Sequence, residues 1–156
     1  MRNQFLIILT AFVSTITFAD DADDAGAKLH EYFDAFNDRS IDFIVSDVYS
    51  TPVHMGGGDS HSLMADPDGA VAALHSLYEQ LDSQGWTESR ISDLQICMAS
   101  DTLALVDTRY SRLKQNGEPI PPAIRTTLYV LQKLDGDWRI VSFYGHDSDK
   151  RPRCSS

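Results

Sequence analysis

The sequence predicts an α+β domain in which the helices come first and one long antiparallel sheet follows. Three observations carry this reading. Apolar residues recur at helical spacing through the first half of the chain, the period changes to two after Gly85, and the period-two runs are joined by short segments of turn chemistry. Consecutive strands with short links form a meander, and helices that precede such a sheet pack onto one of its faces. With 156 residues, 42% of them hydrophobic, the chain supports one ordinary core rather than two.

Residues 1–19 read as a signal peptide. Arg2 is followed by an apolar run of 14 residues from Phe5 to Phe18, then by Ala19 with Thr17 at the −3 position. A spanning helix needs about 20 apolar residues, and the acids that begin at Asp20 follow at once. The expectation is cleavage after Ala19, export to the periplasm or the medium, and no stable membrane insertion afterwards. Residues 20–24 then form a flexible acidic leader, 25–147 the domain, and 148–156 a polar tail.

Within the domain, Leu29, Tyr32, Phe33 and Phe36 fall at i, i+3, i+4 and i+7, which places them on one face of a helix from about Ala25 to Asn37. A shorter helix follows, with Ser40 as its cap, Ile41, Ile44, Val45 and Val48 as its stripe and Pro52 ending the pattern. Residues 52–65, "PVHMGGGDSHSLMA", make two brief extended arms around a glycine turn. The clearest helix has Asp66 to cap it, Pro67 at its first position, Gly85 to end it, and a stripe of Val71, Leu74, Tyr78 and Leu81. Four strands follow at 87–100, 102–115, 123–134 and 137–146, rich in β-branched and aromatic residues, with turns at Ser100-Asp101, Asn116-Gly117 and Asp135-Gly136.

The 13 basic and 23 acidic side chains leave a formal charge of −10, which repels phosphate backbones and anionic lipid and argues against nucleic acid as a partner. An exported chain can keep a disulfide. Cys97 lies in a strand and Cys154 in the tail "RPRCSS"; one bridge would staple the tail to the sheet, and the other reading is a buried Cys97 with a free tail thiol.

The element order, with "EYFDAFNDRSIDFIVSDVYS" near the start and "LQKLDGDWRIVSFYGH" near the end, resembles the nuclear transport factor 2-like (NTF2-like) superfamily and its SnoaL-like branch, over residues 25–147. The resemblance implies a cone: three N-terminal helices packed on a strongly curved antiparallel sheet with an internal pocket for a small molecule, in proteins that are often dimers. It also implies chemistry to look for. In ketosteroid-isomerase-like members a tyrosine of the first helix donates to a developing oxyanion, and Tyr32 matches that position. Their general-base carboxylate aligns near Gly56 and their second oxyanion donor near Val130, residues that can do neither job.

Strand parity sets Trp138, Ile140, Ser142, Tyr144 and His146 on one face and Arg139, Val141, Phe143 and Asp147 on the other. The first set drifts from apolar to polar, as a core opening toward a mouth would. The register depends on whether the Asp135-Gly136 turn has two residues or three with a bulge. Asp107 and Arg109 share one face of their strand and could act as a carboxylate beside its orienting guanidinium. His54 and His61 flank the triple glycine with no third ligand at convincing spacing, so no metal is expected. "MGGGD" lacks the GK[ST] of a phosphate loop and reads as a hairpin tip near the pocket mouth. His75 reads as a core histidine of the third helix.

The candidate catalytic groups are therefore Tyr32, Asp107 and His146, and the candidate ligand contacts Phe36, His54, Arg109, Tyr129 and Tyr144, with no cofactor. Two function classes follow: a binder of a small, largely apolar, neutral or cationic molecule, or a cofactor-independent acid–base enzyme such as a cyclase, isomerase, dehydratase or hydrolase. A non-catalytic interaction module is a further reading. Both parities of the strand at 123–134 carry large apolar groups, Leu128 and Val130 on one and Tyr129 and Leu131 on the other, which predicts a homodimer through the second sheet face.

Overall fold

The computed structural model describes residues 18–154. Most of the expected signal peptide, residues 1–17, lies outside the described residues. The chain forms α1 (Phe18–Asn37), α2 (Ile41–Phe43, continued by one π-helical turn, Ile44–Val48), β1 (Tyr49–Gly57), β2 (Ser60–Met64), α3 (Pro67–Ser83), β3 (Trp86–Ser100), β4 (Leu103–Lys114), β5 (Arg125–Leu134) and β6 (Asp137–His146). Among the described residues no helix is long and apolar enough to cross a membrane.

The helices form where the periodicity places them. On α1, Leu29, Tyr32, Phe33 and Phe36 are all buried. The acidic run at 20–24, expected as a flexible leader, is instead part of α1. Asp21 is held there by the Lys133 ammonium of β5, 2.6 Å away. Asp66 caps α3, its carboxylate accepting from the Gly69 amide at 2.8 Å, and Pro67 occupies the first turn. The buried face of α3 is Ala70, Leu74, Tyr78 and Leu81. His75, expected in the core, is exposed, because position 75 lies beside that stripe rather than on it.

All six strands form one sheet in the order β2-β1-β6-β5-β4-β3. The meander from β3 to β6 is antiparallel as the turn chemistry predicts, and the β1–β2 hairpin joins its far side through a parallel pairing of β1 with β6. Leu134 pairs with Asp137, so the turn between them has two residues. Asp135 and Gly136 both have positive φ, 53° and 94°, the requirement of a type I′ hairpin that Asp-Gly satisfies.

A second feature of β6 decides where its side chains go. Leu131 pairs with Ile140 but Val130 pairs with Ser142, so Val141 is an extra, bulged residue. Before the bulge Trp138 and Ile140 face the core, at 3% and 0% exposure. After it the parity is inverted: Phe143 and Gly145 face inward, and Ser142, Tyr144 and His146 face outward. The uniform alternation expected along this strand is thereby corrected. Phe36, Tyr78 and Trp86 close one end of the core, with the Tyr78 hydroxyl donating to the Phe36 carbonyl at 2.8 Å. Asn37 ties the end of α1 to β3, its side chain pairing with both the amide and the carbonyl of Ser89.

Candidate functional site

Curvature of the sheet around α1 leaves a cavity of about 470 Å³ between α1, α3 and the inner sheet face. Alternation along each strand selects its walls: Tyr110 and Arg112 from β4, Thr127 and Tyr129 from β5, Phe143 from β6. Tyr32, Phe33 and Phe36 project into it from α1, and Leu74 and Leu77 from α3. Gly56 of β1 also borders the cavity. A Cβ there would meet the Ser60 carbonyl oxygen at 2.6 Å, so the close approach of the two hairpin arms requires glycine.

The innermost surface is phenolic. Tyr32 lies against Tyr49 and Tyr129 with ring centroids 5.7 and 5.8 Å apart, and Phe143 stacks on Tyr49 at 6.1 Å. The Tyr49 hydroxyl donates to the Tyr32 oxygen at 3.1 Å, which leaves the Tyr32 proton free to donate into the site. Burial pushes the Tyr32 phenol up to about 12, with the Tyr49 hydrogen bond opposing the shift. Tyr49 and Tyr129 are raised well above the usual phenol range, again by burial first. These rings are therefore neutral hydrogen-bond donors at physiological pH, not bases. No carboxylate and no histidine lines the cavity among the described residues.

The sequence-predicted candidates divide into two groups. Tyr32, Phe36 and Tyr129 come together in the cavity. Asp107, Arg109, Tyr144 and His146 sit on the outer face of the sheet, and His54 is exposed on β1, whose inward neighbour is Met55. The Val141 bulge turns Tyr144 and His146 outward. For Asp107 and Arg109 the cause is simple alternation, since Val106, Thr108 and Tyr110 take the inner face of β4.

Asp107 is nonetheless 1% exposed, because the C-terminal tail crosses over it. One carboxylate oxygen meets His146 Nε2 at 2.6 Å; the other accepts from Arg151 Nε, and Arg151 also donates to Asp93. His146 Nδ1 lies 2.9 Å from the Asp147 carbonyl oxygen. Both ring nitrogens are thus engaged away from the cavity. The tail is fixed further by a Cys97–Cys154 disulfide, which selects the bridged reading of the two cysteines. Among the described residues no three His, Cys, Asp or Glu side chains gather as a metal site would need.

Sequence reasoning missed Tyr49, Arg112 and Phe143 as cavity residues. The signal for Arg112 was present: it shares parity with Val106 and Tyr110, two residues whose burial is easier to predict than that of Asp107. For Phe143 there was none, since a bulge has no composition of its own.

Helices laid inside a curved sheet, with a chamber between them open at one end, define a cone-shaped pocket domain. The chain belongs to an NTF2-like protein family, DUF6841, whose model matches residues 22–148. Solved structures agree on the fold. An NTF-2 like protein of unknown function from Shewanella oneidensis MR-1 is similar at 20% identity and a TM-score of 0.62, over 80% of this chain and 98% of that one. A ketosteroid isomerase-like protein from Erwinia carotovora atroseptica SCRI1043 is similar at 16% identity and 0.63, over 83% and 97%. Aln2 from a Streptomyces species is similar at 9% identity and 0.67, over 86% and 96%. At such identities the likeness shows the fold alone. Among curated proteins nothing matches the chain.

Proposed function

We propose that this protein binds a small, largely apolar molecule in the cone, outside the cytoplasm, without chemical turnover. The observation that carries the reading is the lining itself: a chamber of about 470 Å³ walled by aromatic and aliphatic side chains, with a few polar groups aimed inward. That size and composition match ordinary small-molecule pockets, which run from about 300 to 1,000 Å³. Acid–base turnover needs a group that exchanges a proton near neutral pH within reach of the ligand. Here the lining offers only high-pKa phenols and one guanidinium, while Asp107 and His146 are bound to each other on the opposite sheet face. Gly56, at the position where isomerase-like relatives carry a base, has no side chain to replace it.

Thermal-shift and fluorescence measurements with N-phenyl-1-naphthylamine, a neutral apolar probe, test the reading. Binding to the purified protein should raise the unfolding midpoint and enhance probe emission, and Tyr32→Phe should weaken binding of hydrogen-bonding ligands more than of this probe. That substitution leaves the buried Tyr49 hydroxyl without its acceptor, so about 1–2 kcal/mol of stability should go with it. No response from any apolar probe would remove the pocket function. Export stands on the leader residues; N-terminal sequencing that finds intact Met1 on a cytosolic protein would remove that part.

A further inference from the structure

We propose that Arg112 is an anion-binding residue of the cone and that the ligand is a flat, apolar carboxylate whose charged end docks on this guanidinium. The inference rests on the pocket reading above and adds the ligand's chemical class.

Arg112 projects from the inner face of β4 and borders both the inner chamber and the outer vestibule, which also share Tyr110, Thr127 and Gly145. Its side chain thus borders both an apolar chamber and a more polar hollow beside it. Arg112 Nε is buried and has no hydrogen-bond partner, and the side chain makes no salt bridge among the described residues. Arg109, Arg125 and Arg153 also lack a carboxylate partner among the described residues, but none of them borders the inner chamber. Arg39, Arg90 and Arg151 each have a carboxylate partner. Arg112 is only partly buried, so it is the Nε donor that is shut off from water without an acceptor; that is costly, and an entering anion offsets the cost.

The surroundings favour a negative group further. Arg125, at the vestibule, spends its guanidinium on the carbonyls of Ile120, Pro121 and Pro122, and the Arg112 charge nearby helps push its pKa down, after burial. Two like charges are neighbours, no acid lines the inner chamber, and the one acid at the vestibule, Asp147, is paired with Lys150, while His146 also reaches the vestibule rim. The field of Arg112 also reaches the Tyr32 and Tyr129 phenols, where it favours negative charge. Tyr32 has a free proton to donate, as its oxygen already accepts from Tyr49.

One unpaired guanidinium in an apolar chamber balances one negative charge, which suits a carboxylate better than a dianionic phosphate. The stacked Tyr49–Phe143 pair and the rings beside it favour a flat body. The overall charge of −10 predicts a neutral or cationic ligand; the local charge inside the cone is of the opposite sign.

The test compares 2-naphthoate with 2-naphthamide at neutral pH by calorimetry and by displacement of N-phenyl-1-naphthylamine. The carboxylate should bind the wild-type chain about tenfold tighter or more, as a charge-assisted bidentate contact would give. In Arg112→Gln the preference for carboxylate over amide should vanish, and Arg112→Lys should keep part of it. Equal affinities in the wild type, or a preference that survives Arg112→Gln, would overturn the proposal. The wild-type pair decides by itself should the glutamine variant not fold. If the neutral probe binds and the carboxylate shows no advantage, only the anion site falls; if neither naphthalene nor the probe binds, the pocket reading falls and takes the anion site with it.

Discussion

Asp107 has the burial of a core residue and the company of a surface ion network. Its carboxylate holds His146 and Arg151 together beneath the tail, which ties the outer face of the sheet to the tail. Asp107→Asn should therefore cost about 2 kcal/mol of stability through weakened charge-assisted hydrogen bonds. Binding of an apolar probe in the cone should stay unchanged. Denaturant titration alongside probe binding checks this: loss of binding without loss of stability would return Asp107 to the site. His146→Gln should behave in the same direction and less strongly, since Arg151 keeps both its acidic partners. Residue type and strand parity suggested catalysis for this pair; the structure places both on the outer face, in an ion network with Arg151.

At the scale of elements, the tail beyond β6 is a strap. Cys154 is bonded to Cys97 of β3 with Cα atoms 5.3 Å apart and a sequence separation of 57, and Arg151 bridges β3 to β4 through Asp93 and Asp107. A loop of that length predicts a loss of about 2–4 kcal/mol when the link is absent. Cys154→Ser should lower the unfolding midpoint, and a reducing agent should lower the wild-type midpoint by a similar amount while leaving the variant unmoved. Equal midpoints for all four samples would show that the strap contributes nothing. The strap lies on the outer face, so probe binding should survive its release. Of the elements themselves, α1, α3 and the four long strands follow from periodicity and turn residues. The π-helical end of α2 and the bulge at Val141 do not, because each answers to packing and register rather than to local composition.

For the whole molecule, the buried phenols set a pH limit. Tyr32, Tyr49, Tyr78 and Tyr129 all have pKa values raised by burial, Tyr32 from 10.0 to about 12. A raised folded-state pKa means that the unfolded chain releases these protons first. Their contribution is complete below pH 10 and is lost as pH rises toward 12 and beyond. Stability should thus fall steeply over that interval, and tyrosinate absorbance should appear together with unfolding rather than before it. Free titration of every tyrosine near pH 10 in a protein that keeps its fold would contradict the packing around the cavity.

The sequence by itself determined the α+β class, the cone expected from its resemblance, the faces of α1 and α3, and three of the cavity's residues: Tyr32, Phe36 and Tyr129. These follow because helical and strand periods, caps and two-residue turns are local signals that burial rewards in the same way in every context. Only the tertiary structure decided that Asp107 and His146 belong to the outer face and that Arg112 belongs to the inside. A single bulged residue inverts every side chain after it, the parity of β4 is settled by what packs against it, and the partner that buries Asp107 arrives from a tail 44 residues away in sequence.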